Sequence, residues 1–134
     1  IVPQMVAAYT EWHRRGRVHS FETWVDGRLV GGLDLVAIGR MVFGESMFAR
    51  ATDAAKVALA ALVCFCRTHG ITLIDCQQNT AHLASLGAHE IGREAFEAHL
   101  SRTLGEPEIA DWTYDSRMWS QLDALADPPT RERA

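Results

Sequence analysis

Cysteine is scarce in this sequence, and the three present, Cys64, Cys66 and Cys76, are an odd number in a chain of 134 residues. A domain near this size buries roughly 70% of its unfolded surface and needs no covalent staples. A disulfide scaffold is therefore excluded, and the thiols are expected to be reduced, in a cytoplasmic protein. Long hydrophobic runs are missing as well. The longest mostly apolar stretch, Ala54 to Cys66, is 13 residues long and contains Lys56. That is short of the ~20 residues a membrane-spanning helix needs, so neither a secretory leader nor a membrane partner is expected. No charge of one sign dominates, because the net charge is only −4. With 48% hydrophobic and 22% charged residues, whole-chain disorder is excluded too.

The familiar cofactor motifs are also wanting. No Gly-x-Gly-x-x-Gly and no phosphate loop ending in Lys-Ser/Thr occurs. The histidines, His13, His19, His69, His82, His89 and His99, form no His-x-x-x-His pair. Cys64 and Cys66, two apart on a helix, point in different directions and read as small core residues rather than zinc ligands. Neither a metal nor an organic cofactor is expected. The chain begins at Ile1 instead of Met, which suggests a piece of a longer protein.

What is present falls into order along the chain. Met5, Val6, Tyr9 and Trp12 have helical spacing, so an amphipathic helix is expected over Val2–Arg15 with Gly16 as its stop. Val18 to Val25 alternates and is rich in aromatic and β-branched residues. Asp26-Gly27 then precedes Leu29-Val30, the strongest short-range hairpin signal. Gly31-Gly32 inside the second strand suggests a bulge or a close backbone approach. Val36–Ile38, a turn at Gly39-Arg40, and Met41–Phe43 read as another hairpin, and Gly44–Thr52 as a loop. Thr52 or Asp53 caps a buried helix that runs to His69, with Gly70 as its left-handed end. Ile71–Cys76 is expected as a short central strand, Ala81–Leu86 and Glu94–Leu104 as helices, and Asp127–Ala134 as a polar tail after a domain over 1–126. The order predicts an α+β fold with a mixed sheet and a buried crossover helix, compatible with an acetyltransferase-like domain.

Two segments carry candidate chemistry. In Phe43-Gly44-Glu45-Ser46-Met47-Phe48 a carboxylate lies among large apolar side chains, as a polar contact at the rim of an apolar pocket or as a cap for backbone donors. In Leu73-Ile74-Asp75-Cys76-Gln77 an acid and an amide stand two apart at the end of an apolar strand, hence on one face. The end of a central strand is where open α/β sheets place ligand contacts. Asp75 can accept a proton and Gln77 can donate and accept, so the pair could orient an attacking amine. The plainer reading is that Asp75 caps a loop or pairs with an Arg.

These segments carry a resemblance. Gly44-Glu45-Ser46-Met47-Phe48, Ala55-Lys56-Val57-Ala58-Leu59, Leu73-Ile74-Asp75-Cys76-Gln77 and His82-Leu83-Ala84-Ser85-Leu86-Gly87-Ala88 occur in the order seen in leucyl/phenylalanyl-tRNA–protein transferases. The likeness runs from about His19-Ser20 to Phe96. It implies an acetyltransferase-like fold and transfer of Leu or Phe from aminoacyl-tRNA to an N-terminal Arg or Lys of acceptor proteins, without metal or cofactor. It further implies Asp75 as acid/base with Gln77 as its partner, and Glu45 and Ser46 as substrate contacts. Leu33, Met47, Leu59 and Ile74 would line the aminoacyl pocket, although each also suits ordinary core. Arg14, Arg15, Arg17, Arg40, Arg50 and Lys56 are the available tRNA phosphate contacts, because the family's N-terminal domain is absent from this sequence. After Gly31-Gly32-Leu33, Asp34-Leu35 stand where the family usually has an aromatic residue and Gly.

Two other functions compete. An acyl-CoA acetyltransferase would need a Gly-rich pyrophosphate loop before the buried helix, and Glu45 to Ala54 contains no Gly. A non-catalytic binder of basic N-termini could use the acidic second half. Residues 68–134 hold 5 Lys+Arg against 11 Asp+Glu, whereas residues 1–67 hold 8 against 6.

Overall fold

The computed structural model describes residues 4–11, 17–76 and 89–122. Its hairpins arise where the sequence demands them. Asp26 and Gly27 both adopt positive φ, 50° and 77°, the pairing that lets a two-residue turn follow the twist of its strands. It joins β2 (Val18–Val25) to β3 (Arg28–Ile38). Gly39, at φ 60°, turns β3 into β4 (Met41–Ala49). A Cβ on Gly39 would collide with the carbonyl oxygens of Thr103 and Leu104, so this turn also requires Gly for space.

The described sheet has the order β1-β2-β3-β4-β5. β1 (Gln4–Glu11) pairs antiparallel with β2, from Gln4↔Val25 to Glu11↔Val18. β5 (Ile74–Asp75) joins β4 in parallel, after the chain has crossed over in α1 (Ala54–Thr68). The fold is thus α+β, a mixed sheet with a buried crossover helix, as the element order predicts. α2 (Arg93–Thr103) comes next, and then a short 3-10 turn, Ser116–Ser120.

Three sequence expectations are corrected. The helix over Val2–Arg15 is instead strand β1 across its described part, because pairing along the whole edge of β2 satisfies its backbone and overrides a helical spacing of few residues. The loop over Gly44–Thr52 is strand as far as Ala49, and the chain turns only over residues 50–53. The strand over Ile71–Cys76 shrinks to Ile74–Asp75 and stands at the end of the described sheet rather than in its middle. Its start is lost because the Ile71 N–H is taken by the Cys66 carbonyl at 2.8 Å, which closes α1 instead. The short helix at Ala81–Leu86 and the tail at Asp127–Ala134 lie outside the described residues.

α1 is held tightly on one face of the sheet. Ala58, Ala61, Leu62, Phe65 and Cys66 pack against Phe21, Leu33, Leu35, Ala37 and Val42, all fully or nearly fully buried. Complete burial of one such large side chain is worth about 1.5–3 kcal/mol. At the helix start the Thr23 hydroxyl donates to the Ala54 carbonyl at 2.9 Å. A Cβ on Gly31 would lie 2.5 Å from that of Ala54, so the close approach suggested by Gly31-Gly32 is real. The bulge is real too, since the β2–β3 register shifts at Thr23/Trp24 beside Gly31. Asp53 stands at the N-cap with φ 65° but caps nothing with its side chain; it pairs with Lys56 at 3.6 Å. Gly70, at φ 78°, ends the helix in the left-handed turn expected.

The aromatic residues of the acidic C-terminal segment finish the core. Trp112 stacks on His19 at 3.8 Å and on Phe65 at 4.7 Å, and Tyr114 meets Phe21 edge-on at 6.1 Å. Burial pushes the Cys64 and Cys66 thiols and the Tyr114 phenol up, which fits inert core groups.

Candidate functional site at the opening of the sheet

Strand pairing and alternation decide which residues meet. Phe21, Leu33, Leu35, Ala37 and Val42 belong to the core under α1, so their neighbours along each strand face the other way. The register places Leu33 opposite Met47 on the α1 face, and Asp34 opposite Ser46 on the open face. Ile74 pairs with Val42 and packs against the core, while Asp75 pairs with Phe43 and so falls on the open face. The expected apolar and polar groups therefore separate cleanly. Leu33 is buried within the core cluster, and Met47, Leu59 and Ile74 pack half-buried against it, all under α1. Asp75, Asp34 and Ser46 share the opposite face.

Both sets converge where β4 and β5 stop pairing. Among the described residues β5 meets β4 at Val42↔Ile74 and Phe43↔Asp75. Just beyond, β4 carries a bulge. The β3–β4 register passes from Asp34↔Ser46 to Leu35↔Gly44, leaving Glu45 as the extra residue. Glu45 is exposed there, on a strand and not in a loop. A Cβ on Gly44 would sit 3.6 Å from the Asp75 carbonyl oxygen, which measures how closely the two strands approach at this point. The charge of Asp75, after partial burial, raises the pKa of the adjacent Cys76 thiol. Gln77 lies outside the described residues.

The open face holds a second, ordered polar group that the sequence alone did not reveal. Glu22 accepts one hydrogen bond from the Ser20 hydroxyl and one from the Trp24 indole N–H, each 3.1 Å. Beside it the Phe48 ring reaches over Gly32, where an added Cβ would come within 3.2 Å of the ring. The Arg50 guanidinium lies 5.8 Å from the centroid of that ring. The i, i+2 alternation Ser20, Glu22, Trp24 was the available signal, legible once β2 is placed with Phe21 inward.

The candidate phosphate contacts do not form a single patch. Lys56 and Arg50 lie at the start of α1. Arg40 lies at its other end, donating to the His69 carbonyl at 2.6 Å and the Pro107 carbonyl at 3.1 Å. The 15 residues of α1 separate these ends by about 22 Å. Arg17 pairs with Glu108 at 3.4 Å on the surface. Arg14 and Arg15 lie outside the described residues. Among the described residues no helix is long and apolar enough to cross a membrane, and no three His, Cys, Asp or Glu side chains gather as a metal site.

A carboxylate at a strand end and a bulge that turns a second carboxylate outward suit proton handling, and the apolar residues behind them are packed under α1. The family described as leucyl/phenylalanyl-tRNA protein transferase matches residues 1–101. The transferase of that name from Methylibium petroleiphilum is 65% identical over 130 residues, 96% of this chain and 49% of the relative. Those of Leptothrix cholodnii and a Polaromonas species are 62% and 58% identical, over 91% and 97% of this chain. This chain spans about half the length of the curated relatives it matches. An aminoglycoside acetyltransferase from an uncultured soil metagenomic sample aligns with a TM-score of 0.44 at 11% identity, covering 80% of this chain and 74% of its own. By sequence, the chain belongs to the leucyl/phenylalanyl-tRNA–protein transferase family.

Proposed function

We propose that this chain forms the catalytic domain of an aminoacyltransferase that moves Leu or Phe from aminoacyl-tRNA to the N-terminal Arg or Lys of acceptor proteins in the cytoplasm. The observation that carries this reading is the place of Asp75, on the open face at the last described β4–β5 pair, with the Leu33–Met47 pair and Ile74 on the α1 face of the same sheet.

The reaction asks little beyond orientation and proton handling. The acceptor's α-amino nitrogen attacks the ester carbonyl carbon, a C–N bond forms, and the ester C–O bond to the tRNA ribose breaks. Asp75 takes the proton the amine sheds and a proton returns to the departing ribose oxygen; Gln77 holds the amine in line. Glu45 and Ser46 contact the substrate at the bulge. Leu33, Met47, Leu59 and Ile74 receive the aminoacyl side chain. A recess built on Met and Leu accepts both Leu and Phe, because apolar pockets discriminate weakly between similar shapes. Arg50 and Lys56 at the start of α1, with Arg17, contact tRNA phosphates and make binding fall with salt. Arg40, engaged by two carbonyls, serves first to tie the end of α1 to the C-terminal segment.

The test is transfer of Leu from leucyl-tRNA to an Arg-initiated peptide, read by mass spectrometry. Asp75→Ala is expected to lower the rate by about 10²–10⁴-fold while the peptide still binds. Undiminished transfer by Asp75→Ala would remove that residue from the mechanism. Binding of basic peptides with no transfer, even by the longer protein containing this chain, would favour a non-catalytic binder.

A further inference from the structure

We infer that Asp34 reads the cationic side chain of the acceptor's first residue, an inference that rests on the transfer reading above. Asp34 lies on the same open face as Asp75, one row along. Asp75, Phe43 and Val36 form one row across β5, β4 and β3, and Ser46 and Asp34 belong to the next row on that face. With strands about 4.8 Å apart and a rise of about 3.3 Å per residue, the two backbone positions are about 12 Å apart. That span is bridged by an acceptor residue whose α-amino group is at Asp75 and whose extended Arg or Lys side chain points across β4 towards a short carboxylate.

The chemistry of Asp34 suits that end of the bridge. It is exposed, and its partner among the described residues is the Ser46 hydroxyl, 3.4 Å from Oδ2. A carboxylate can accept about four hydrogen bonds, so one hydroxyl leaves room for a forked guanidinium or an ammonium. The other ordered carboxylate of this face is less suited. Glu22 already has both oxygens engaged, by Ser20 and Trp24, and sits a row farther from Asp75. Ser46 gains a role as well: it steadies Asp34 from the strand that separates it from Asp75.

The test uses the full chain with peptides that differ only in their first residue, Arg or citrulline, the neutral isostere of Arg. Peptide affinity is measured by titration and transfer of Leu is measured separately. The wild-type chain should bind the Arg peptide about tenfold more tightly than the citrulline peptide. Asp34→Asn should bring the two affinities within about twofold, and Asp34→Glu should restore part of the difference. In transfer, Asp34→Asn should raise KM for the Arg peptide and leave kcat and the KM for leucyl-tRNA unchanged. An Arg preference that survives Asp34→Asn, or none in the wild type, overturns the inference. A chain that moves no Leu, yet shows an Arg preference dependent on Asp34, would overturn the transfer reading and leave the role of Asp34 standing.

Discussion

The two faces of the sheet are made from the same strands and follow opposite rules. Under α1, alternate residues of β3 and β4 are apolar and pack with Phe21 of β2, beside buried His19 and Thr23, and C-terminal aromatic residues complete the packing. The open face carries Ser20, Glu22, Asp34 and Ser46, held by side-chain hydrogen bonds to one another or to Trp24, alongside Val36, Phe43 and Phe48. A single period-2 pattern thus builds a packed face and a more polar, open face. Substitutions under α1 should therefore act on stability and on the choice of aminoacyl group, and those on the open face on the choice of acceptor.

The most severe way to break that division is to cut the packed face. Phe65 is fully buried and packs on Phe21 at 5.6 Å and Trp112 at 4.7 Å. Phe65→Ala should cost about 3–5 kcal/mol, read as a lowered denaturation midpoint, whereas Ser46→Ala on the open face should stay within about 0.5 kcal/mol. Equal losses would show that both faces are core.

A smaller effect distinguishes them by pH. His69 at the end of α1 and His99 on α2 have pKa values below the ordinary 6.5, chiefly through burial and then through the positive charges of Arg40 and Arg102, with Asp111 and Glu106 pulling the other way. As pH falls through 6.5 the unfolded chain takes up protons before the folded one. Their contribution to stability is thus complete above 6.5 and is lost progressively below it. Denaturation at pH 7.5 and 5.5 should show the decline, and His99→Gln should reduce its slope. An unchanged slope would mean that His99 does not set it.

The fold was legible where local chemistry sufficed. Asp26-Gly27 marked the β2–β3 turn, and the Ala- and Leu-rich run ending at Gly70 marked α1, because turn and cap preferences act within a few residues. β1 was misread because Met5, Val6 and Tyr9 fit a helix as well as a strand, and only the long edge of β2 decides between them. The strand beyond Gly44 was missed for another reason. The bulge at Glu45 adds one residue, so the alternation resumes out of phase, with Met47 inward and Ser46 and Phe48 outward. Of the candidate site, Asp75, Glu45, Leu33 and Met47 are proposed from motif resemblance. Their division between two faces could not be read from the sequence, since it depends on register. Nor could the different surroundings of Arg40 and Arg50, one bound to backbone carbonyls and one over the Phe48 ring.

The proposed division is that the two faces select different substrates. It is tested most directly by crossed specificity in a single assay: kcat/KM for leucyl- against phenylalanyl-tRNA, and for Arg- against citrulline-initiated peptide, in Met47→Ala and Asp34→Asn. The account predicts that Met47→Ala shifts the aminoacyl ratio by about tenfold and leaves the peptide ratio unchanged, while Asp34→Asn does the reverse. If either substitution moved both ratios together, the division of labour between the faces would be contradicted.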